Sequence, residues 1–177
     1  MCSSKEAQLK DLIDIIIEKL DMGGTVTFTP HGESMLPMLR DGEDIVVLAK
    51  PKGRLHLYDL PLYRRADGSF VLHRVIDFGN DGSYVMCGDN QFRKEKGIMD
   101  SDIIAVVVAF CRKGRPYTAD SILYRAYISF WYHTRPFRGA YRLAKRGAVK
   151  FFGIKPKDKK DKENRENQEN QENREKE

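Results

Sequence analysis

The chain is poor in cysteine, with only Cys2, Cys87 and Cys111 among 177 residues. They fall at no metal-ligand spacing, and an odd thiol is left over if two pair. Neither a metal cluster nor a disulfide framework can organise the fold. The cysteines read as reduced, with Cys87 and Cys111 as small core residues. Long apolar runs are also lacking. No stretch approaches the ~18–20 apolar residues that a membrane span requires. The opening Met1-Cys2-Ser3-Ser4-Lys5-Glu6 is polar, and Lys10, Asp11, Asp14, Glu18 and Lys19 interrupt the apolar positions from Leu9 to Leu20. No signal peptide or transmembrane helix is therefore expected, and the expected location is cytoplasmic or peripheral to a membrane. Acidic residues are missing from Ser121 to Lys155, where eight Lys/Arg stand, within a chain of net charge +5. No nucleic-acid motif is present. One helix ahead of the first strand is too little for a helix-turn-helix reader, so nucleic acid is not expected as a partner.

What is present describes a globular domain. Hydrophobic residues make up 41% of the chain, which is long enough for one domain with its own core. Leu9, Leu12, Ile13, Ile16, Ile17 and Leu20 recur at helical spacing, predicting an amphipathic helix over about Lys5–Leu20 that Gly23-Gly24 ends. Thr25–Thr29, Asp44–Ala49, Leu60–Arg64, Phe70–Phe78, Ser83–Cys87 and Ile103–Arg112 read as strands, and Asp67-Gly68 signals a hairpin. The fold expected is mostly β: an antiparallel, partly closed β-sheet with an N-terminal helix and a C-terminal basic helical segment.

That segment is expected to start with a helix capped by Asp120, running from Ser121 to about Tyr132, with a second piece over Arg138–Phe152. From Lys155 to Glu177, Glu-Asn-Arg and Glu-Asn-Gln triplets recur, with eight basic and eight acidic residues and no large apolar side chain after Pro156. Such a tail cannot offset chain entropy and is expected to be disordered. The resulting divisions are an N-terminal helix (1–24), a β-domain (25–112), a basic aromatic helical segment (113–154) and a charged tail (155–177).

The chemistry lies in the β-domain. Gly32-Glu33-Ser34-Met35-Leu36-Pro37 places a serine on a Gly/Pro-bounded turn. Val71-Leu72-His73-Arg74-Val75 places a histidine on an apolar strand. Asp89, in Gly88-Asp89-Asn90, and Glu95 follow on what reads as a loop. A serine hydroxyl needs a base to take its proton, a neutral imidazole suits the task, and a carboxylate on the far ring nitrogen fixes the tautomer. These residue types are the parts of a nucleophile–base–orienter set. The spacing leaves Asp89 and Glu95 level as the orienting acid, with Asp102 a weaker third candidate. Asp41, Asp44 and Asp59 read as loop structure, Arg74 as a structural residue on the strand face opposite His73, and His31 and His56 as loop residues.

The longer pattern runs Gly32-Glu33-Ser34-Met35-Leu36-Pro37-Met38-Leu39-Arg40-Asp41-Gly42, then Leu62-Tyr63-Arg64-Arg65, Val71-Leu72-His73-Arg74-Val75 and Gly88-Asp89-Asn90. This resembles the S24/S26 serine peptidases, the clan of signal peptidase I and the self-cleaving LexA/UmuD-like proteins, from about Thr25 to Arg112. Histidine on the matching strand, where most bacterial members carry lysine, is similar to the endoplasmic-reticulum and archaeal type. The resemblance implies a serine endopeptidase with Ser34 as nucleophile, His73 as base, and an acid at Asp89 or Glu95. Gly32, Glu33 and Met35 are then the residues toward substrate and oxyanion. It implies no metal or organic cofactor. The substrate implied is a peptide or preprotein with small residues before the cut, as in signal or leader peptide processing. Typical signal peptidases carry a membrane span, and its absence is a departure from the pattern. Two rivals stand beside this reading, a self-cleaving regulator of the same clan and a non-catalytic membrane-surface module. The Ser121–Phe152 segment has a matching alternative to simple packing, namely contact with an anionic membrane surface.

Overall fold

A computed structural model describes residues 13–140 and 144. The chain divides into two compact units after His133. In the first, residues 13–21 form helix α1. Its apolar stripe turns Ile13 and Leu20 inward and leaves Ile15 in solvent. Gly23, at φ +78, ends it, and the Gly23 and Gly24 amides return to the carbonyls of Leu20 and Lys19 at 3.0 Å.

Nine strands follow: β1 (Val26–Phe28), β2 (Ile45–Ala49), β3 (Pro61–Arg64), β4 (Phe70–Leu72), β5 (Arg74–Phe78), β6 (Tyr84–Cys87), β7 (Glu95–Ile98), β8 (Ile103–Arg112) and β9 (Arg115–Thr118). A six-stranded sheet has the order β1-β2-β8-β3-β4, with β9 also on β8, and β5-β6-β7 form a second sheet. All pairings are antiparallel. The whole is mostly β and strongly curled, with the N-terminal and C-terminal helices expected. Helix α2 spans Ile122–His133. Leu20, Leu39, Leu48, Leu62, Val107 and Ile128 belong to the main core, so both helices pack on the larger sheet. A smaller core gathers Leu55, Tyr63, Val75, Tyr84 and Met86.

The structure corrects three details. The expected strand Phe70–Phe78 is two strands, because the chain leaves β3 for β6 at His73 and that residue joins neither ladder. Glu95 is not on a loop; it heads β7, opposite Met86. The sheet also continues past Arg112 into β9. Neither β7 (Glu-Lys-Gly-Ile) nor β9 (Arg-Pro-Tyr-Thr) carries the alternating apolar pattern of a half-buried strand. In the second unit, residues 135–140 are helical and the Arg138 amide donates to the Thr134 carbonyl at 3.1 Å. The rest of the predicted second helical piece, the charged tail and the first turns of the N-terminal helix lie outside the described residues.

One side chain ties the first unit together. Arg74 is 1% exposed. Its Nε and Nη2 donate to the two carboxylate oxygens of Asp89 at 2.8 and 2.7 Å, and Nη1 donates to the Tyr58 carbonyl at 2.8 Å and the Tyr124 hydroxyl at 3.2 Å. Strand β5, the turn at Asp89, the connection at Tyr58 and helix α2 thus meet at one guanidinium. Removing either charge leaves the other buried and unpaired, at a cost of about 3–5 kcal/mol. Arg74→Met and Asp89→Ala should each lose stability in that range in urea unfolding, while the double variant should lose less than the sum. Losses under 1 kcal/mol, on the order of an exposed pair, would show that the pair is not the anchor described.

Candidate active site

Ser34 lies in the turn-rich segment between β1 and β2, which no ladder holds. Side chains and turns clamp it instead. The Gly32 amide donates to Asp41 at 2.9 Å, the Gly42 amide to the Pro30 carbonyl at 3.1 Å, and the Arg40 amide to buried Asp44 at 2.9 Å. Gly32 sits at φ +105, a backbone region that side chains rarely adopt. From the other side, the Asn90 amide donates to the Ser34 carbonyl at 2.8 Å and its Nδ2 to the Glu33 carbonyl at 3.0 Å. The Gly88-Asp89-Asn90 turn is therefore a clasp on the serine, held from behind by Arg74.

Gly88 shows how closely these parts approach. A methyl group placed on it would lie 2.6 Å from the Ser34 carbonyl oxygen, 3.2 Å from Ser34 Cβ and 3.1 Å from His73 Nε2. The serine and the imidazole nitrogen thus converge on one point, and only glycine leaves room between them. Both residues line a cleft of about 270 Å³, together with Pro30, His31, Phe70 and Gln91. Ser34 is half-buried at its edge, and His73 is 1% exposed.

The far ring nitrogen has partners of its own. His73 Nδ1 lies 3.2 Å from Glu95 Oε1 and 3.4 Å from the Tyr63 hydroxyl. Tyr63 donates to Glu95 Oε2 at 2.8 Å, and Arg65 Nε donates to the same oxygen at 2.8 Å. With Nδ1 turned to the carboxylate, Nε2 is the ring nitrogen on the side of Gly88 and Ser34. Burial pushes His73 below the ordinary imidazole pKa, with Glu95 pulling the other way. Burial would raise Glu95, but hydrogen bonds from Arg65 and Tyr63 outweigh it and hold the carboxyl below its ordinary value. The resting state at neutral pH is neutral imidazole beside ionised carboxylate.

The two acids therefore part company. Glu95 is on the imidazole, and Asp89 is taken up by Arg74. Asp102 accepts the Met99 amide at 2.9 Å, as a cap of the short helical turn at Asp100–Asp102. Asp41, Asp44 and Asp59 accept backbone amides within their own loops. Of the residues expected toward substrate, Met35 points its side chain into the core at 4% exposure, and the Gly32 amide is spent on Asp41. The amides of Ser34 and Met35 are candidate oxyanion donors. Tyr63 and Arg65, quoted in the sequence pattern but given no role there, complete the site. Their signal was periodicity: two positions apart at the end of a strand, they point to one face. Among the described residues no group of three or more His, Cys, Asp or Glu has metal-site geometry.

Comparison with known proteins finds no matching family model, no matching curated protein and no matching solved structure.

Two expectations follow from the geometry. The His73 ring, titrated by NMR, should show a pKa below the ordinary ~6.5, and Glu95→Gln, which removes the raising charge, should lower it further. Because the folded pKa is depressed, the unfolded chain binds the proton more readily. The His73 contribution to stability is therefore complete above ~6.5 and declines as pH falls from there toward the folded value. A ring titrating at or above the ordinary value would contradict the burial argument. Gly88→Ala forces the Ser34 backbone aside and should cost about 1–3 kcal/mol, which a shift in the urea midpoint will register.

Proposed function

We propose that this protein is a serine endopeptidase in which Ser34 is the nucleophile, His73 the general base and Glu95 the acid that orients it. The observation that carries the reading is the convergence of Ser34 and His73 Nε2 over Gly88, with His73 Nδ1 on Glu95. Nε2 takes the Oγ proton as Oγ adds to the scissile carbonyl carbon. The amides near Ser34 receive the oxyanion, a contribution of roughly 3–4 kcal/mol per donor. The imidazolium then protonates the leaving amine, and the peptide C–N bond breaks to leave an acyl-enzyme. Water, deprotonated by the same imidazole, adds to the ester and releases the acid. Glu95, kept ionised by Arg65, favours the imidazolium in both halves.

The cleft walls support a reading of the substrate class. Strand β4 ends its path in the sheet order, and Phe70, Val71 and Leu72 line the cleft beside Ser34. An extended peptide can lie along that edge by main-chain hydrogen bonds, as an added strand. The space is small and Phe70, Val71 and Leu72 make one wall of it apolar, which supports short side chains before the cut, in keeping with the resemblance to signal peptidases and with signal- or leader-type peptides as substrates.

A serine-directed acylating probe, followed by mapping of the modified residue, tests the proposal directly. Label on Ser34 that disappears in His73→Ala is expected, and label elsewhere or independent of His73 would overturn it. Ser34→Ala and His73→Ala should each abolish turnover of a small-residue peptide, with the double variant little worse than either. Glu95→Gln should lower kcat by several orders of magnitude with little change in unfolding midpoint. Asp89→Asn should do the opposite, weakening the fold while each folded molecule keeps activity within roughly tenfold. If instead Asp89→Asn is the inactive variant and Glu95→Gln the active one, the assignment of the acid is wrong.

A further inference from the structure

A second cleft, of about 610 Å³, lies between the connection at residues 49–60 and the start of α2. It shares no residue with the cleft at Ser34. Leu55, Leu60, Val107 and Ile128 give it an apolar floor. Lys50, Lys52, Arg54, His56 and Arg125 line it, against Asp59 and Asp120. Beside it α2 turns a second apolar stripe to water. Ile122 is 84% exposed, Leu123 83% and Phe130 68%, with Ala126 and Tyr127 on the same side. The inner side is occupied already: Ile128 is buried and Tyr124 packs on Phe110. Leu57, itself 38% exposed, adjoins the helix, since its carbonyl accepts a hydrogen bond from Arg125 at 3.3 Å. Aliphatic and aromatic side chains displayed this openly mark a contact surface.

We infer that this face docks on an anionic phospholipid bilayer, with Ile122, Leu123 and Phe130 entering the headgroup–acyl boundary while the cations of the cleft meet lipid phosphates. Charge selects the occupant. Helix α2 has no acidic residue and carries Arg125, and Lys50, Lys52 and Arg54 line the adjoining cleft. Cations near an anionic leaflet and a helix lying in its plane reinforce one another. Size argues the same way. From Ile122 to Phe130 the stripe is about 12 Å long, too short to bury the ~1,200 Å² of a stable protein interface, whereas insertion in a bilayer surface has no such threshold. This inference stands apart from the chemistry assigned to Ser34, and either can fail alone.

The test is co-sedimentation of the full chain with vesicles of phosphatidylcholine alone or mixed with phosphatidylglycerol. Binding to the mixed vesicles should exceed binding to neutral ones by roughly tenfold or more, and raised salt should weaken it. Ile122→Ser/Leu123→Ser/Phe130→Ser changes only exposed positions, so its unfolding midpoint should stay near the parent's while binding falls by a similar factor. Lys52→Glu/Arg54→Glu provides a second, electrostatic arm and should also weaken binding to the mixed vesicles. Absence of vesicle binding, equal binding to both compositions, or a serine variant that binds like the parent would overturn the inference. So would a parent that is a dimer and a serine variant that is a monomer, since the stripe would then meet a second copy of the chain.

Discussion

The buried pair of Arg74 and Asp89 is the interaction on which the site's geometry rests. A guanidinium at 1% exposure is tolerable only if its donors are used. Here three nitrogens reach Asp89, the Tyr58 carbonyl and the Tyr124 hydroxyl. Each partner belongs to a different part of the unit, so satisfying one residue fixes four segments. Tyr58 is at φ +73, a conformation unusual for a residue with a side chain, and its carbonyl is one of the acceptors. Trp131 of α2 adds a donor to the Asp89 carbonyl at 3.3 Å. The turn that clasps Ser34 is therefore built outward from a charge pair on the far side of the chain from the cleft.

Strand alternation links that pair to the arrangement proposed as catalytic. His73 and Arg74 are neighbours and project to opposite sides. Arg74 goes to the pair that supports the clasp, and His73 goes to the cleft. The break between β4 and β5 at His73 lets the imidazole lie between the two sheets. One nitrogen then faces Glu95 on β7 while the other faces the serine. Each of the two acids is matched to one arginine, Asp89 to Arg74 and Glu95 to Arg65, and the second pairing is the more exposed. That difference suits their tasks. An anchor gains from full desolvation, whereas in the proposed mechanism a carboxylate that stabilises a passing imidazolium needs enough countercharge to remain ionised without being neutralised.

Much of this was legible from residue patterns. The serine turn and the histidine stood out, and the strands from Val26 to Cys87 and at Ile103–Arg112 followed apolar alternation. The acids could not be ranked, because spacing along a chain carries no register. Glu95 reaches His73 only because β7 pairs with β6 so that Glu95 stands opposite Met86. The sequence Glu-Lys-Gly-Ile announces no strand, being polar and interrupted by a glycine. Tyr63 and Arg65 were hidden differently. A tyrosine on an apolar strand reads as core, which it is at 0% exposure, and its hydroxyl acquires a role only once the partner strand is known.

Ser34 and His73 are held by unlike means, and the contrast explains the glycine between them. His73 stands between two strands, each held in its own ladder. Ser34 belongs to a segment with no ladder, whose position is the sum of contacts from Asp41, Asp44 and Asn90. A segment fixed by so few bonds would wander relative to a sheet-mounted base unless something set their distance. Gly88 does so by close approach: a Cβ added to it would meet the Ser34 carbonyl oxygen at 2.6 Å and His73 Nε2 at 3.1 Å, so there is no space for a further atom. The clasp is thus a spacer as well as a tether, and α2 loads it through Trp131 and Tyr124. The surface of that helix which faces water is accordingly one short side-chain layer away from the contacts that position Ser34.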